Sequence, residues 1–211
     1  MRPLIAGNWK MHGMAPQLGE IEAVAASVKA TSPSADILIC VPATLIARAA
    51  QMAAGRIAIG GENCSAEISG AFTGDLSAEM LKDAGASAVI VGHSERRHHH
   101  GETDTIVAAN ARAARRAGLL AIICIGETAA QRHAGNALSV CGDQIAGSVP
   151  EGMTSSGTVI AYEPLWALGS GHMPTTGEIT AVPAHNPRRL AVRLARAGDQ
   201  PCILFRLATL P

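Results

Sequence analysis

Seven short apolar runs recur through this chain, starting near residues 4, 36, 57, 88, 119, 158 and 201. The mean interval is about 33 residues, the length of one β-strand plus one returning helix. Leu4–Ala6, Asp36–Val41, Ile57–Ile59, Ala88–Val91, Leu119–Ile125, Thr158–Tyr162 and Cys202–Phe205 are apolar nearly throughout rather than alternating. Strands of that kind are buried on both faces, which requires helices outside them and a parallel sheet. Helical periodicity fills the intervals. Leu18, Ile21, Val24 and Val28 share one face, as do Leu45, Ile46, Ala49 and Met52. Ser77–Ala84 and Thr103–Ala117 read as helices, the second ending at a C-cap Gly118, and Ala129–Ser148 reads as mostly helical. Glu62 to Asp75 is a polar, glycine-bearing stretch that predicts a protruding loop. Pro183 and Pro187 interrupt the pattern before a last helical segment at Leu190–Ala197. With no linker or low-complexity segment, residues 1–211 read as a single domain. Periodicity alone leaves a closed barrel and an open doubly wound sheet equally allowed.

Composition excludes several classes of function. Five aromatic residues, Trp9, Phe72, Tyr162, Trp166 and Phe205, are too few for a base-stacking platform. The formal net charge of zero offers nucleic acid no general attraction. Five scattered cysteines without a C-x-x-C pair read as reduced thiols, not a disulfide framework or a zinc site. No apolar run approaches the roughly 20 residues of a membrane helix. The expectation is a cytoplasmic protein without membrane or nucleic-acid partners. His98-His99-His100 reads as a solvated loop rather than a metal site, because adjacent side chains point in different directions.

Polar residues follow the carboxyl ends of the strands. Asn8 and Lys10 follow the first, His93 and Glu95 the fourth, Glu127 the fifth and Glu163 the sixth. In a parallel α/β fold those ends lie on one rim, where sites are built. A carboxylate such as Glu163, held in extended backbone by Pro164, suits general-base chemistry. Cys124 and Trp9 read as packing residues.

Five ordered blocks then resemble the triosephosphate isomerase family: Asn8-Trp9-Lys10, Ser69 to Gly74, Gly92 to Arg97, Cys124 to Glu127, and Ala161 to Gly171. The resemblance is strongest over residues 1–180. It implies an α/β fold of the (β/α)8 TIM-barrel type and interconversion of dihydroxyacetone phosphate and glyceraldehyde 3-phosphate through an enediolate, without metal or organic cofactor. It implies Glu163 as the base, His93 as a neutral imidazole that polarises the carbonyl oxygens, and Lys10 as the cation, supported by Asn8 and by Glu95. Asn8, Lys10 and Gly169 would bind substrate. Pro164, Trp166, Gly169 and Gly171 would belong to a lid over the site. Phe72 and Thr73 would dock into a second copy, giving a homodimer.

The resemblance ends near Phe205, where a glycine-rich phosphate contact would be expected and Arg206 follows instead. Seven strands are readable and an eighth β/α unit is not, whereas a complete barrel takes about 250 residues. Open edges on the first and seventh strands and impaired activity are therefore expected. Charge divides at the same place: twelve Lys/Arg against sixteen Asp/Glu through residue 181, then five Arg against one Asp. Two other readings carry their own tests. A Schiff-base aldolase using Lys10 would be trapped by borohydride, and an inactive partial barrel that only co-assembles would be monodisperse without turnover.

Overall fold

The computed structural model describes residues 2–167, 175, 202–204 and 208–209. The strands are β1 (Leu4–Asn8), β2 (Asp36–Cys40), β3 (Ala58–Gly61), β4 (Ala88–Val91), β5 (Leu120–Ile125), β6 (Thr158–Tyr162), β7 (Cys202–Leu204) and β8 (Ala208–Thr209). The helices are α1 (Leu18–Thr31), α2 (Ile46–Ala53), α3 (Ala78–Asp83), α4 (Ser94–His99), α5 (Asp104–Arg116), α6 (Ala129–His133) and α7 (Ala137–Ser148). Every strand pairing is parallel, in the order β7-β6-β5-β4-β3-β2-β1-β8.

The apolar strands pack on both faces, as their composition demands. Ala6, Leu38, Cys40, Ala88, Ile90, Ile122, Cys124, Val159 and Ala161 form one buried cluster. These are alternate residues of β1, β2, β4, β5 and β6, so they mark the inward face of the curving sheet. Their neighbours Ile39, Val89, Ile123 and Ile160 belong instead to the cluster shared with the helices. Burying each such isoleucine contributes roughly 1.5–3 kcal/mol, so neither face can turn to solvent.

Helix boundaries follow local chemistry. Ser77 and Thr103 cap α3 and α5 through their hydroxyls, which accept the Met80 and Ile106 N–H groups. Gly118 sits just past α5 at φ +69°, the left-handed geometry that ends helices. Ala129–Ser148 is mostly helical as expected, in two helices separated at Gly135, where φ is +75°. One expectation needs correction. The histidine run is not a loop: His98 and His99 complete α4 and His100 is its C-cap, although all three are exposed. The His93 ring accepts the Glu95 N–H and so starts a helix where no ordinary cap is visible.

The seventh strand is present over Cys202–Leu204, and Phe205 lies outside the described residues. The open edge expected on β1 is covered in part, because Ala208 and Thr209 pair with Gly7 and Asn8. The segment expected as a helix at 190–197 lies outside the described residues.

Candidate active site

The two-residue period of each strand decides which polar residues enter the barrel mouth. Ala6 faces inward, so Asn8 does too, and it is 3% exposed. Ala161 faces inward, so Glu163 follows it into the mouth at 7% exposure. Glu127 keeps the opposite parity, since Ile125 packs in the helix-facing cluster. Its fully buried carboxylate accepts from Arg132 Nη1 at 3.0 Å and Tyr162 Oη at 3.0 Å, with Cys141 Sγ at 3.5 Å. Glu127 therefore braces the outer layer and does not join the inner rim.

The inner rim is one connected polar network. Asn8 Oδ1 accepts the Lys10 N–H at 2.9 Å and holds Lys10 at φ +57°, in the left-handed region. A non-glycine residue kept there is strained, and such strain persists only where surrounding structure enforces it. Lys10 Nζ donates to Glu95 Oε1 at 2.6 Å. His93 Nδ1 accepts the Glu95 N–H at 3.3 Å, and His93 Nε2 lies 2.8 Å from Glu163 Oε1. Glu163 Oε2 accepts the Ser94 N–H at 3.3 Å. Asn8, Lys10, His93, Glu95 and Glu163 thus come together from β1, β4 and β6.

The electrostatics follow from that network. Burial pulls the His93 pKa down, but the hydrogen bond and charge of Glu163, with the charge of Glu95, outweigh it and leave the value above 6.5. The Glu95 N–H on Nδ1 keeps that nitrogen an acceptor and places the neutral ring's proton on Nε2. Burial pushes Glu95 up, while the Lys10 hydrogen bond and the His93 charge more than reverse it, so its pKa falls below 4.5. The Cys124 thiol is raised well above its ordinary value, first by burial and then by the Glu163 charge, which makes it a packing group.

Two further residues matter here: Gly126 lies inside a family-like block with no reactive side chain to mark it, and Glu62 lies in a stretch that reads as polar loop. Gly126 packs so closely that a Cβ on it would lie 2.0 Å from the Glu163 carbonyl oxygen. Glu62, just after β3, shares the inward parity of Ala58 and Gly60, and its Oε1 is buried without a hydrogen-bond partner. Only the inward count from β3 could have singled it out within a stretch that reads as polar loop.

Of the expected lid, Pro164, Leu165, Trp166 and Ala167 are described, and Leu165–Ala167 forms one 3-10 turn. The Arg132 guanidinium stacks 4.2 Å from the centre of the Trp166 ring. Gly169 and Gly171 lie outside the described residues. Phe72 and Thr73 are exposed on the loop after β3, away from the network, and Trp9 is buried in the core. Lys10 is already engaged as the cation of an ion pair, which does not favour the Schiff-base reading. No group of three or more potential metal ligands occurs among the described residues.

The family model for triosephosphate isomerase matches residues 3–204. Triosephosphate isomerase of Chelativorans sp. (strain BNC1) is 55% identical over 207 residues, 97% of this chain and 82% of the relative. That of Afipia carboxidovorans is 52% identical over 206 residues, with the same shares covered. The crystal structure of triosephosphate isomerase from Bartonella henselae superposes with a TM-score of 0.84 at 46% identity, covering 95% of this chain and 79% of the other. The barrel, its polar rim and these likenesses agree: the chain belongs to the triosephosphate isomerase family.

Proposed function

We propose that the polar rim carries out the family's aldose–ketose isomerisation with Glu163 as its single base. Interconverting dihydroxyacetone phosphate and glyceraldehyde 3-phosphate requires removing a proton alpha to a carbonyl and returning it to the adjacent carbon. One carboxylate serves both transfers if the intermediate enediolate is stabilised. The carrying observation is the Glu163 carboxylate, buried and poised 2.8 Å from His93 Nε2. Substrate entering between these groups takes over both. Its carbon-bound proton meets Glu163, and its carbonyl oxygen receives the His93 Nε2–H. As substrate separates Glu163 from His93, the influence that raises the imidazole pKa is removed, and burial then favours the neutral ring. The Lys10 ammonium lies at the same mouth and offsets charge on the enediolate and phosphate. Asn8 fixes the Lys10 backbone, and Glu95 fixes its ammonium. Carboxylate and imidazole suffice for these proton transfers. Such an activity belongs to glycolysis and gluconeogenesis.

The homodimer is part of the same proposal. Phe72 is 48% exposed on the protruding loop, and Met11 and Met14 are 95% and 75% exposed beside the site-bearing β1 end. Apolar side chains so presented suit burial in a second copy. Four buried free cysteines fit a reducing, cytoplasmic setting. No described helix is long and apolar enough to cross a membrane. The test of function is isomerase turnover with Glu163→Gln as control. The test of assembly is light scattering of wild type and Phe72→Asp, with the variant expected to run at half the wild-type mass.

A further inference from the structure

α7 turns one polar stripe toward the end of β5. Cys141, Gln144 and Ser148 follow one another at intervals of three and four residues, so they share one face of the helix. Cys141 Sγ lies 3.5 Å from Glu127 Oε2, and Ser148 Oγ accepts from Arg97, which also donates to the Cys124 carbonyl. Gln144, between them, holds Gly126 by both of its backbone groups. Its Oε1 accepts the Gly126 N–H at 2.8 Å and its Nε2 donates to the Gly126 carbonyl at 3.2 Å. Only one orientation of the amide serves an N–H and a carbonyl together, so the double contact fixes the side chain as well as the backbone it grips. Gly126 stands one residue past the last ladder pair of β5 and β6, Ile125 with Tyr162, where the paired register ends.

We propose that Gln144 is a positioning residue for Glu163, acting through Gly126. The Glu163 N–H donates to the Ile125 carbonyl at 2.8 Å, and the Glu163 carbonyl oxygen lies so near Gly126 that a Cβ there would be 2.0 Å away. Gly126 is thus the surface on which the backbone of the base rests, and Gln144 sets where that surface stands. The Glu163 carboxylate is held in turn 2.8 Å from His93 Nε2. Contact therefore runs without a break from α7 through Gln144 and Gly126 to the Glu163 backbone and its carboxylate. Misplacing a reacting group by about 1 Å costs about 100-fold in rate, so an anchor outside the mouth governs turnover without touching substrate. The bonds of Arg132 and Tyr162 to Glu127 do not replace it, because they engage a side chain and leave the Gly126 backbone to Gln144. Lys10 stands at the end of β1 and is held by Asn8 and Glu95, so the effect falls on kcat and spares KM. This inference rests on the role proposed above for Glu163.

The test compares wild type, Gln144→Met and Ile145→Val by kcat and KM with glyceraldehyde 3-phosphate and by NMR titration of His93. Methionine keeps the length of the side chain and removes both hydrogen bonds. Ile145→Val trims a buried core residue of the same helix and controls for lost stability alone. In Gln144→Met, kcat is expected to fall about tenfold with KM within about twofold of wild type, a partial loosening beside the cost of a full displacement. Burial lowers the His93 pKa and the Glu163 contact outweighs it, so loosening that contact should bring the His93 midpoint down. Ile145→Val should change neither reading. An unchanged kcat or an unmoved His93 midpoint in folded Gln144→Met overturns the proposal, as does an equal change in Ile145→Val. Should Gln144→Met fail to fold, Gln144→Glu replaces it and is judged by the same two readings. That variant keeps an oxygen for the Gly126 N–H and loses the donor to the Gly126 carbonyl. A wild type that shows no isomerisation would instead overturn Glu163 as the base, a distinct result. The His93 midpoint would then still decide whether Gln144 positions Glu163.

Discussion

Substituting Gly126 by alanine tests how the barrel holds its base in place. The added Cβ would lie 2.0 Å from the Glu163 carbonyl oxygen, whereas 3.0 Å is about the nearest that real Cβ atoms approach. Something must move by about 1 Å. Gly126 cannot easily retreat, because Gln144 accepts its N–H at 2.8 Å and donates to its carbonyl at 3.2 Å. The Glu163 N–H is meanwhile tied to the Ile125 carbonyl at 2.8 Å. The strain falls on the Glu163 backbone and displaces its carboxylate from His93 Nε2. A misplacement of that size costs about 100-fold in rate, or roughly 2.7 kcal/mol in the barrier. Overpacking should remove about 1–3 kcal/mol of stability as well. The assay is kcat from a coupled isomerase reaction, with urea unfolding in parallel. Gly19→Ala is the control, since its Cβ would meet nothing within 4 Å on exposed α1, and it should stabilise by roughly 0.5 kcal/mol. A Gly126→Ala protein that folds and keeps kcat within threefold of wild type would refute the reasoning.

Other substitutions probe the remaining links. Arg97 donates to the Gly92 carbonyl, Asp104 Oδ1, Ser148 Oγ and the Cys124 carbonyl, joining α4, α5, α7 and the ends of β4 and β5. Arg97→Met should cost about 3 kcal/mol, lowering Tm by roughly 10 °C in calorimetry. Tyr162→Phe removes one donor from the buried Glu127 carboxylate and should cost about 1–2 kcal/mol by urea unfolding. In Glu163→Gln, the charge that raises His93 is gone, so burial dominates and its pKa should fall below 6.5 by NMR titration. Because His93 is raised in the folded wild type, the contact's stabilisation is fully present below 6.5 and is lost as pH rises through the higher folded value. Wild type should therefore lose stability relative to Glu163→Gln across that window.

The parallel α/β layering was legible because nearly uninterrupted apolar strands must be covered by helices, whereas the choice of a closed barrel over an open sheet came only with the family-like blocks. Asn8, Lys10, His93, Glu95 and Glu163 were legible because each stands just beyond such a strand. What stayed hidden depends on contacts between distant segments. Gly126 looks like an ordinary turn residue until the Glu163 carbonyl is placed against it. Glu62 reads as loop polarity until the parity of β3 turns it inward and its Oε1 is found buried. Glu127 belongs to the same pattern of strand-end residues, but its parity sends it outward to Arg132 and Tyr162. The helical histidine run escaped notice because its cap is an imidazole, His93, where a serine or aspartate would have been recognisable.

Every residue of the rim serves Glu163, the proposed base of the isomerisation. The most direct measurement is conversion of glyceraldehyde 3-phosphate to dihydroxyacetone phosphate by the purified chain, wild type beside Glu163→Gln. Isomerisation by the wild type, with kcat at least about 100-fold lower in the variant, is the predicted result, the minimum expected for loss of a positioned base. A wild type that does not isomerise, or a variant that matches it, would contradict the account.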